Sequence, residues 1–228
     1  MPESSLLINE IFHSIQGEST WIGCPCVFIR LKGCHLRCHY CDTAYAFTQG
    51  DRRTIDSIVE EVQATGCKLV EVTGGEPLLQ RDVHELMTRL CDLGHQVLIE
   101  TSGACDISTC DPRVIRILDL KTPGSGEVER NDLGNLEHLR RNDEIKFVLM
   151  DREDYDWMKS MIEHHDLHSR VDVILASPVH AQAGGGGVIG AAGLEPRQLA
   201  EWMLADGLRV RLQLQLHKQI WDPSTRGV

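Results

Sequence analysis

Short apolar runs recur along this chain at residues 6–12, 27–31, 69–72, 97–100, 115–120, 145–149, 171–175 and 210–214. Most are rich in Val, Ile and Leu and are bounded by polar or glycine-containing stretches, which predicts β-strands. Between several of them, apolar residues return every three to four positions, at 55–62, 83–93, 133–139, 157–164 and 199–204, which predicts helices. Strands separated by helices require crossover connections, so the pattern predicts an α/β fold with a largely parallel sheet. Ligands of such folds sit at loops leaving the carboxyl ends of strands. The most polar and glycine-rich connections, at 33–41, 73–77, 101–103 and 121–124, each follow a predicted strand.

A length of 228 residues suits one domain spanning 1–228. Its one low-complexity stretch, 183–193 with Gly184 to Gly187 consecutive, reads as a flexible surface loop. No Gly-Lys-Ser/Thr follows, so it is not a phosphate loop. No apolar run approaches the length of a membrane span, and the first five residues carry no basic segment of an export signal. The expected location is the cytoplasm. With 34 acidic against 23 basic residues the formal charge is −11, which disfavours loose attachment to nucleic acid or anionic membranes. Nine cysteines, an odd number, suit reduced thiols or metal ligands better than a disulfide framework.

Cys34, Cys38 and Cys41 fall within eight residues, in a loop short enough to wrap one inorganic centre. Three thiolates on a four-iron cluster leave one iron open to a small ligand. A zinc site completed by His35, His39 or a remote cysteine is a second reading, and buried thiols that meet no metal a third. Cys24 and Cys26 read as core or loop thiols. The spacing C-x3-C-x2-C with Tyr40 before the last cysteine resembles the radical S-adenosylmethionine superfamily. That resemblance implies an incomplete β/α barrel, a [4Fe–4S] cluster on the three cysteines, and S-adenosylmethionine chelated at the open iron and cleaved reductively to a 5′-deoxyadenosyl radical. Tyr40, Cys41 and Asp42 would then lie beside the cosubstrate.

Thr73-Gly74-Gly75-Glu76-Pro77 follows a predicted strand, and glycines there would let a ligand approach the backbone closely. The segment resembles the superfamily motif whose backbone (Gly74, Gly75) and acid (Glu76) receive the methionyl amine. Glu100 and Ser102 end the next strand and read either as ribose-binding groups or as part of a helix cap. Lys121, Thr122 and Pro123 read as a plain turn or, by position in the resembled superfamily, as part of the adenosyl pocket.

The polar run Ile15-Gln16-Gly17-Glu18, Arg30 four residues before Cys34, and Cys41-Asp42-Thr43 together resemble the 7-carboxy-7-deazaguanine synthase family. In that family 6-carboxy-5,6,7,8-tetrahydropterin undergoes radical ring contraction with loss of ammonia, on the route to queuosine and other 7-deazapurines. The resemblance implies that Ile15, Gln16, Gly17 and Glu18 edge the pterin, Arg30 pairs with its carboxylate, Thr43 supplies a hydroxyl to Mg²⁺, and Thr73, His217 and Pro223 complete the substrate pocket. Residues 224–228 run past the family's last position, which sets apart the role of a terminal carboxylate. Family likeness also implies a homodimer and an external one-electron donor such as flavodoxin. Rival readings are an activase acting on another protein's glycine, which gives no reason for Gln16, Glu18, Arg30 and Thr43 as a set, and a zinc-stabilised binding module.

Overall fold

The computed structural model describes residues 4–228; the first three positions of the segment read for an export signal lie outside them. Nine strands form one open sheet: β1 (Ser5–Ile15), β2 (Pro25–Leu31), β3 (Asp51–Thr54), β4 (Leu69–Gly74), β5 (Gln96–Thr101), β6 (Ile115–Asp119), β7 (Glu144–Leu149), β8 (Val173–Pro178) and β9 (Arg211–Leu212). Their order is β3-β1-β2-β4-β5-β6-β7-β8-β9. β1 pairs antiparallel with β2 and β3, and every pairing from β2 through β9 is parallel. The helices are α1 (Ile55–Ala64), α2 (Val83–Asp92), α3 (Arg152–His164), α4 (Leu167–Arg170), α5 (Pro196–Asp206) and α6 (His217–Ile220). The result is the expected α/β architecture, an incomplete barrel whose edge strands β3 and β9 are not paired with each other.

Alternation along the parallel strands sends every second side chain to the helix-covered face. Val70, Val72, Val97, Ile99, Leu118, Ile145 and Phe147 pack there, all fully buried, against Ile58 of α1, Leu86 of α2 and Met158 of α3. Each such side chain contributes on the order of 1.5–3 kcal/mol. Helix starts follow local chemistry: Thr54 caps α1 by accepting from Ser57 N, Asp151 caps α3 by accepting from Asp154 N, and Pro196 opens α5.

The structure departs from the apolar pattern in four places. β3 was not expected, because Asp51-Arg52-Arg53-Thr54 is polar throughout; an edge strand needs only its main chain to pair. Residues 133–138 form a 3-10 helix rather than an α-helix. Asn135 is buried there, and its amide donates to Gly103 O and Cys105 O while its oxygen accepts from Ile107 N. The eighth strand begins at Val173 rather than 171, since Val171 N is taken by Leu167 O at the close of α4. The ninth is reduced to two residues paired with Leu175 and Ala176. The glycine-rich stretch folds back on itself, with Gln182 and Ala191 exchanging hydrogen bonds of 2.8 and 2.9 Å.

Behind β6 and β7, Arg116 and Asp143 form a buried ion pair. Asp143 accepts from Arg116 N at 2.9 Å, Arg116 Nε at 3.1 Å and Arg140 N at 2.8 Å. Burial alone would raise the Asp143 carboxyl, but the hydrogen bonds from Arg116 hold it below its ordinary value. Stability from this group is therefore present above the unfolded carboxyl range and is lost as pH falls through the depressed native value. Asp143→Ala leaves Arg116 buried without its anion and is expected to cost about 3–5 kcal/mol in urea unfolding at neutral pH, with a smaller penalty at acid pH.

Candidate active site

The other face of the sheet lines a cavity of about 610 Å³. Its composition changes in steps of two residues along each strand. Phe28 lines its base and belongs to a buried apolar cluster with Cys26, Leu69, Leu98 and Ile117. One pleat further toward the carboxyl ends come Arg30, Glu71, Glu100 and Asp119, joined by Lys146 of β7; one pleat beyond stand Thr73, Ser102, Lys121 and Val148. The same strands that are apolar on one face, apart from Arg116, are thus charged on the other.

Cys34, Cys38, Tyr40 and Cys41 line this cavity above the end of β2. Leu36 anchors their loop, buried in a small cluster with Cys38, Tyr40 and Val179. Leu36 N donates to Cys34 Sγ at 3.4 Å and Cys41 N to Cys38 O at 3.1 Å. Arg37 braces the turn from outside, donating to Cys34 O at 2.9 Å while stacking 4.2 Å over Phe47. His39 N bonds Ser125 O, and Gly190 N of the glycine-rich hairpin bonds His39 O at 2.7 Å. Burial pushes the thiols of Cys34 and Cys38 up, and that of Cys41 to about 12. Metal binding by these groups therefore releases protons, with the Lys121 ammonium favouring the thiolates. Among the described residues no three His, Cys, Asp or Glu side chains converge as one ion requires. Three soft donors distributed around one cavity fit a multi-atom iron–sulfur cluster better than a lone zinc. Two oxygens of cavity-lining side chains, Tyr40 Oη and Asp119 Oδ1, are buried without a partner among the described residues, as expected of a wall that meets a polar ligand.

Gly74 and Gly75 also line the cavity, and the fold has a use of its own for their missing side chains. A Cβ on Gly74 would lie 2.8 Å from Leu31 N, and one on Gly75 2.7 Å from Cys34 Cβ and still closer to Gly33 O. The missing side chains let the end of β4 press on the end of β2, where Gly75 N donates to Leu31 O and Glu76 N to Gly33 O. Glu76 stands behind the wall, fully buried: its carboxylate accepts from Leu78 N, Thr101 Oγ1, Ser102 N and Ser102 Oγ at 2.6–3.0 Å. It braces β4 against β5 instead of facing the cavity. Thr122 and Pro123 likewise fall outside the lining; Thr122 is buried and donates to Val148 O.

The remaining expected residues, Ile15, Gln16, Gly17, Glu18, Arg30, Asp42, Thr43, Thr73, Glu100, Ser102, Lys121, His217 and Pro223, all line the cavity. Several are already engaged. Glu18 accepts from Lys146 at 2.6 Å, Gln213 at 3.0 Å and Gln215 at 2.9 Å. Burial would raise its carboxyl, but Lys146 brings it below its ordinary value. Lys146, which also pairs with Glu100, is held protonated far above the usual lysine range despite its burial. Glu100 nonetheless stays raised, because burial and the nearby Glu18 and Asp119 outweigh Lys146. Gln16 is buried and donates to Glu71, whose carboxyl burial, Glu100 and Glu18 push well up. Arg30 Nε donates to Glu10 at 2.8 Å, and its terminal nitrogens make no protein hydrogen bond among the described residues. Thr43 precedes the turn Ala44–Phe47 without capping it; its hydroxyl donates to Asp42 Oδ1 at 2.9 Å. Asp42 is bound at 2.6 Å by Lys218, which overcomes burial and depresses its carboxyl. His217 packs so closely on Gly17 that a Cβ there would overlap its ring, and burial lowers its imidazole, favouring the neutral form.

The sequence reading missed Glu71, Asp119, Lys146, Tyr45, Gln213, Gln215 and Lys218. For Glu71 a signal existed: it is the single charge inside an otherwise apolar strand, a pattern that marks a buried polar position, whereas Asp119 and Lys146 share their strands with Arg116 and Glu144.

Two substitutions test this arrangement. Gly75→Ala is expected to shift the cysteine loop and reduce iron bound after anaerobic reconstitution severalfold, read from visible absorbance and metal content. Glu71 is neutral in the fold at pH values where an unfolded glutamate, with a pKa of about 4.3, ionises. Stability must therefore fall as pH rises above that value toward the raised native pKa, by up to about 1.4 kcal/mol per unit. Glu71→Gln should flatten this slope in urea unfolding measured across pH 4–8.

Comparison with known proteins gives these features a context. The Radical SAM superfamily profile matches residues 28–119. A protein of Chlorobaculum tepidum named 7-carboxy-7-deazaguanine synthase is 47% identical over 99% of each chain, and one of the same name from Koribacter versatilis is 45% identical over 97% of this chain and 99% of its own. In three dimensions, the crystal structure of QueE from Escherichia coli superposes with a TM-score of 0.72, covering 93% of this chain and 95% of that one, at 23% identity. With its cysteine loop inside the superfamily region and nearly half its residues shared end to end with these synthases, the chain belongs to the 7-carboxy-7-deazaguanine synthase family of radical S-adenosylmethionine enzymes.

Proposed function

We propose that this protein converts 6-carboxy-5,6,7,8-tetrahydropterin to 7-carboxy-7-deazaguanine with release of ammonia, on the route to queuosine and related 7-deazapurines. The observation that carries this reading is that the C-x3-C-x2-C thiols and Arg30 line a single cavity, so that a radical source and a carboxylate receptor share one space. Cys34, Cys38 and Cys41 would hold the [4Fe–4S] cluster, and the wall formed by Gly74, Gly75, Ser102, Lys121 and Tyr40 would receive S-adenosylmethionine. When bound, this pair supplies a 5′-deoxyadenosyl radical by one-electron cleavage of the sulfonium, chemistry that belongs to the cofactor.

The chain's own residues bind, orient and exclude water. Arg30, with its terminal nitrogens uncommitted, can take the substrate carboxylate through two parallel hydrogen bonds. The Thr43 hydroxyl donates a hydrogen bond to Asp42 and keeps its oxygen lone pairs free, so Thr43 would help hold Mg²⁺, whose charge would favour binding of the substrate carboxylate. Gln16 and Glu71 offer an amide and a neutral carboxyl to the pterin's pyrimidine edge, while Lys146 holds Glu18 and Glu100 in place. Beneath them the apolar cluster of Phe28, Leu69, Leu98 and Ile117 keeps water from the base of the cavity. Holding reactive atoms in register is what makes a radical intermediate selective. A cytoplasmic location agrees with nine free thiols, and no helix among the described residues is long and apolar enough to cross a membrane. A homodimer and a flavodoxin-type electron donor complete the proposal on family resemblance.

The deciding experiment is anaerobic reconstitution and reduction, addition of S-adenosylmethionine, Mg²⁺ and the carboxytetrahydropterin, and mass spectrometry of the products. A deazaguanine carboxylate is expected, absent with Cys38→Ala and reduced at least tenfold with Arg30→Ala. Formation of 5′-deoxyadenosine beside untouched pterin would refute the substrate assignment.

A further inference from the structure

Residues 224–228 line the cavity that Arg30 also lines, with Ser224, Thr225 and Arg226 exposed on their outer side and Gly227 and Val228 half-buried. A tight turn starts them: Ser224 N and Oγ donate to Asp222 Oδ1 at 2.9 and 2.5 Å, and Thr225 N to Asp222 O at 2.9 Å. Arg226 then places its guanidinium 3.9 Å from the centre of the Tyr45 ring and donates to Gln49 Oε1 at 3.2 Å. Gly227 comes against β1, where a Cβ would lie 3.9 Å from Phe12 Cβ and 4.0 Å from Glu10 Oε2.

Tyr45 has a second role. Its hydroxyl donates at 2.8 Å to Glu10 Oε1, the same oxygen that accepts from Arg30 Nε at 2.8 Å. Burial pushes the Tyr45 phenol up to about 12, so it remains a donor at neutral pH. The tail, an aromatic ring, a carboxylate and the arginine that faces the cavity thus form one chain of contacts. Docking a terminal segment costs conformational entropy, and a stack on an aromatic face is the kind of contact that offsets it.

We propose that Arg226 is a positioning residue for the substrate carboxylate: stacked on Tyr45, it straps residues 223–228 along the cavity wall and holds the Tyr45–Glu10 pair that orients Arg30. This rests on the reading that Arg30 receives that carboxylate. Arg226 need not touch the substrate; it narrows the orientations open to Arg30.

Steady-state kinetics and proteolysis of the reconstituted protein test the strap. Arg226→Ala should raise KM for the pterin roughly two- to fivefold, the range of an exposed cation–π contact, with a smaller change in kcat and no change in iron content. Arg226→Lys should recover part of the loss. Tyr45→Ala should raise KM further, and adding Arg226→Ala to it should cost nothing more. Trypsin cleavage after Arg226, followed by mass spectrometry, reports the strap without substrate: Tyr45→Ala should be cut severalfold faster than the parent, and Tyr45→Phe, which keeps the ring, at the parental rate. Equal KM for Arg226→Ala and parent, with the parent turning over pterin, overturns the positioning role. Equal cleavage of Tyr45→Ala and parent overturns the strap itself. Failure of the parent to consume pterin refutes the substrate reading instead, and the cleavage comparison still decides whether the strap exists.

Discussion

An open sheet cannot close its interior with backbone hydrogen bonds alone, and here Lys146 and Glu18 do what the missing strand pairing does not. Glu18 stands just beyond β1 and Lys146 on β7, at 128 positions' separation in sequence, yet their side chains meet at 2.6 Å inside the cavity. Around that pair the segment following β1 is sewn to the far side of the sheet: Thr20 bonds Glu144, Ser19 N bonds Gln213, and Gln213 and Gln215 bond Glu18. A buried ion pair is not in itself a strong source of stability, because desolvation consumes much of its Coulomb energy. What it supplies is a fixed relation between two walls that would otherwise be free to splay.

The same layer sets the electrostatics. Lys146 is kept cationic by flanking carboxylates, Glu18 is kept anionic by Lys146, and Glu71, where burial, Glu100 and Glu18 outweigh the pull of Lys146, is driven toward the neutral form. One stripe of acids and bases thus contains a charged acceptor and an uncharged carboxyl, separated only by who their neighbours are. Above it Lys121, bound at 2.8 Å to Asp119, lies near the cysteine thiols and opposes the cost of ionising them, while Asp119 adds to that cost at Cys38.

Most of this architecture was legible in the chain before any coordinates, because apolar strands and amphipathic helices announce themselves by period. β3 was not, since a polar edge strand carries no hydrophobic signal, and the 3-10 segment at 133–138 was misread because Leu133, Leu136 and Leu139 mimic a helical spacing while buried Asn135 dictates otherwise. The cysteine triplet and the Gly74-Gly75 pair were visible as motifs, but the packing demand on the glycines was not: it comes from the contact of two strand ends, which only the fold brings together. Residues such as Gln213, Gln215 and Arg226 had no local signature. Their place depends on how the segments after β8 return over the cavity.

That return has a consequence for how the protein is made. The cysteine loop rests on β2, β4 and the turn at 123–126 and is completed by Val179 and Gly190, whereas the substrate end is joined by hydrogen bonds such as Gln215 to Glu18, 197 positions apart in sequence. Contacts of such long range form late, after the loop-closure entropy of the intervening chain has been overcome. On a ribosome the three thiols therefore emerge long before Val179 and Gly190, which pack on and bond their loop, and before the pocket they will serve, so a nascent chain exposes its cluster-binding loop before the segments that shield it have been made.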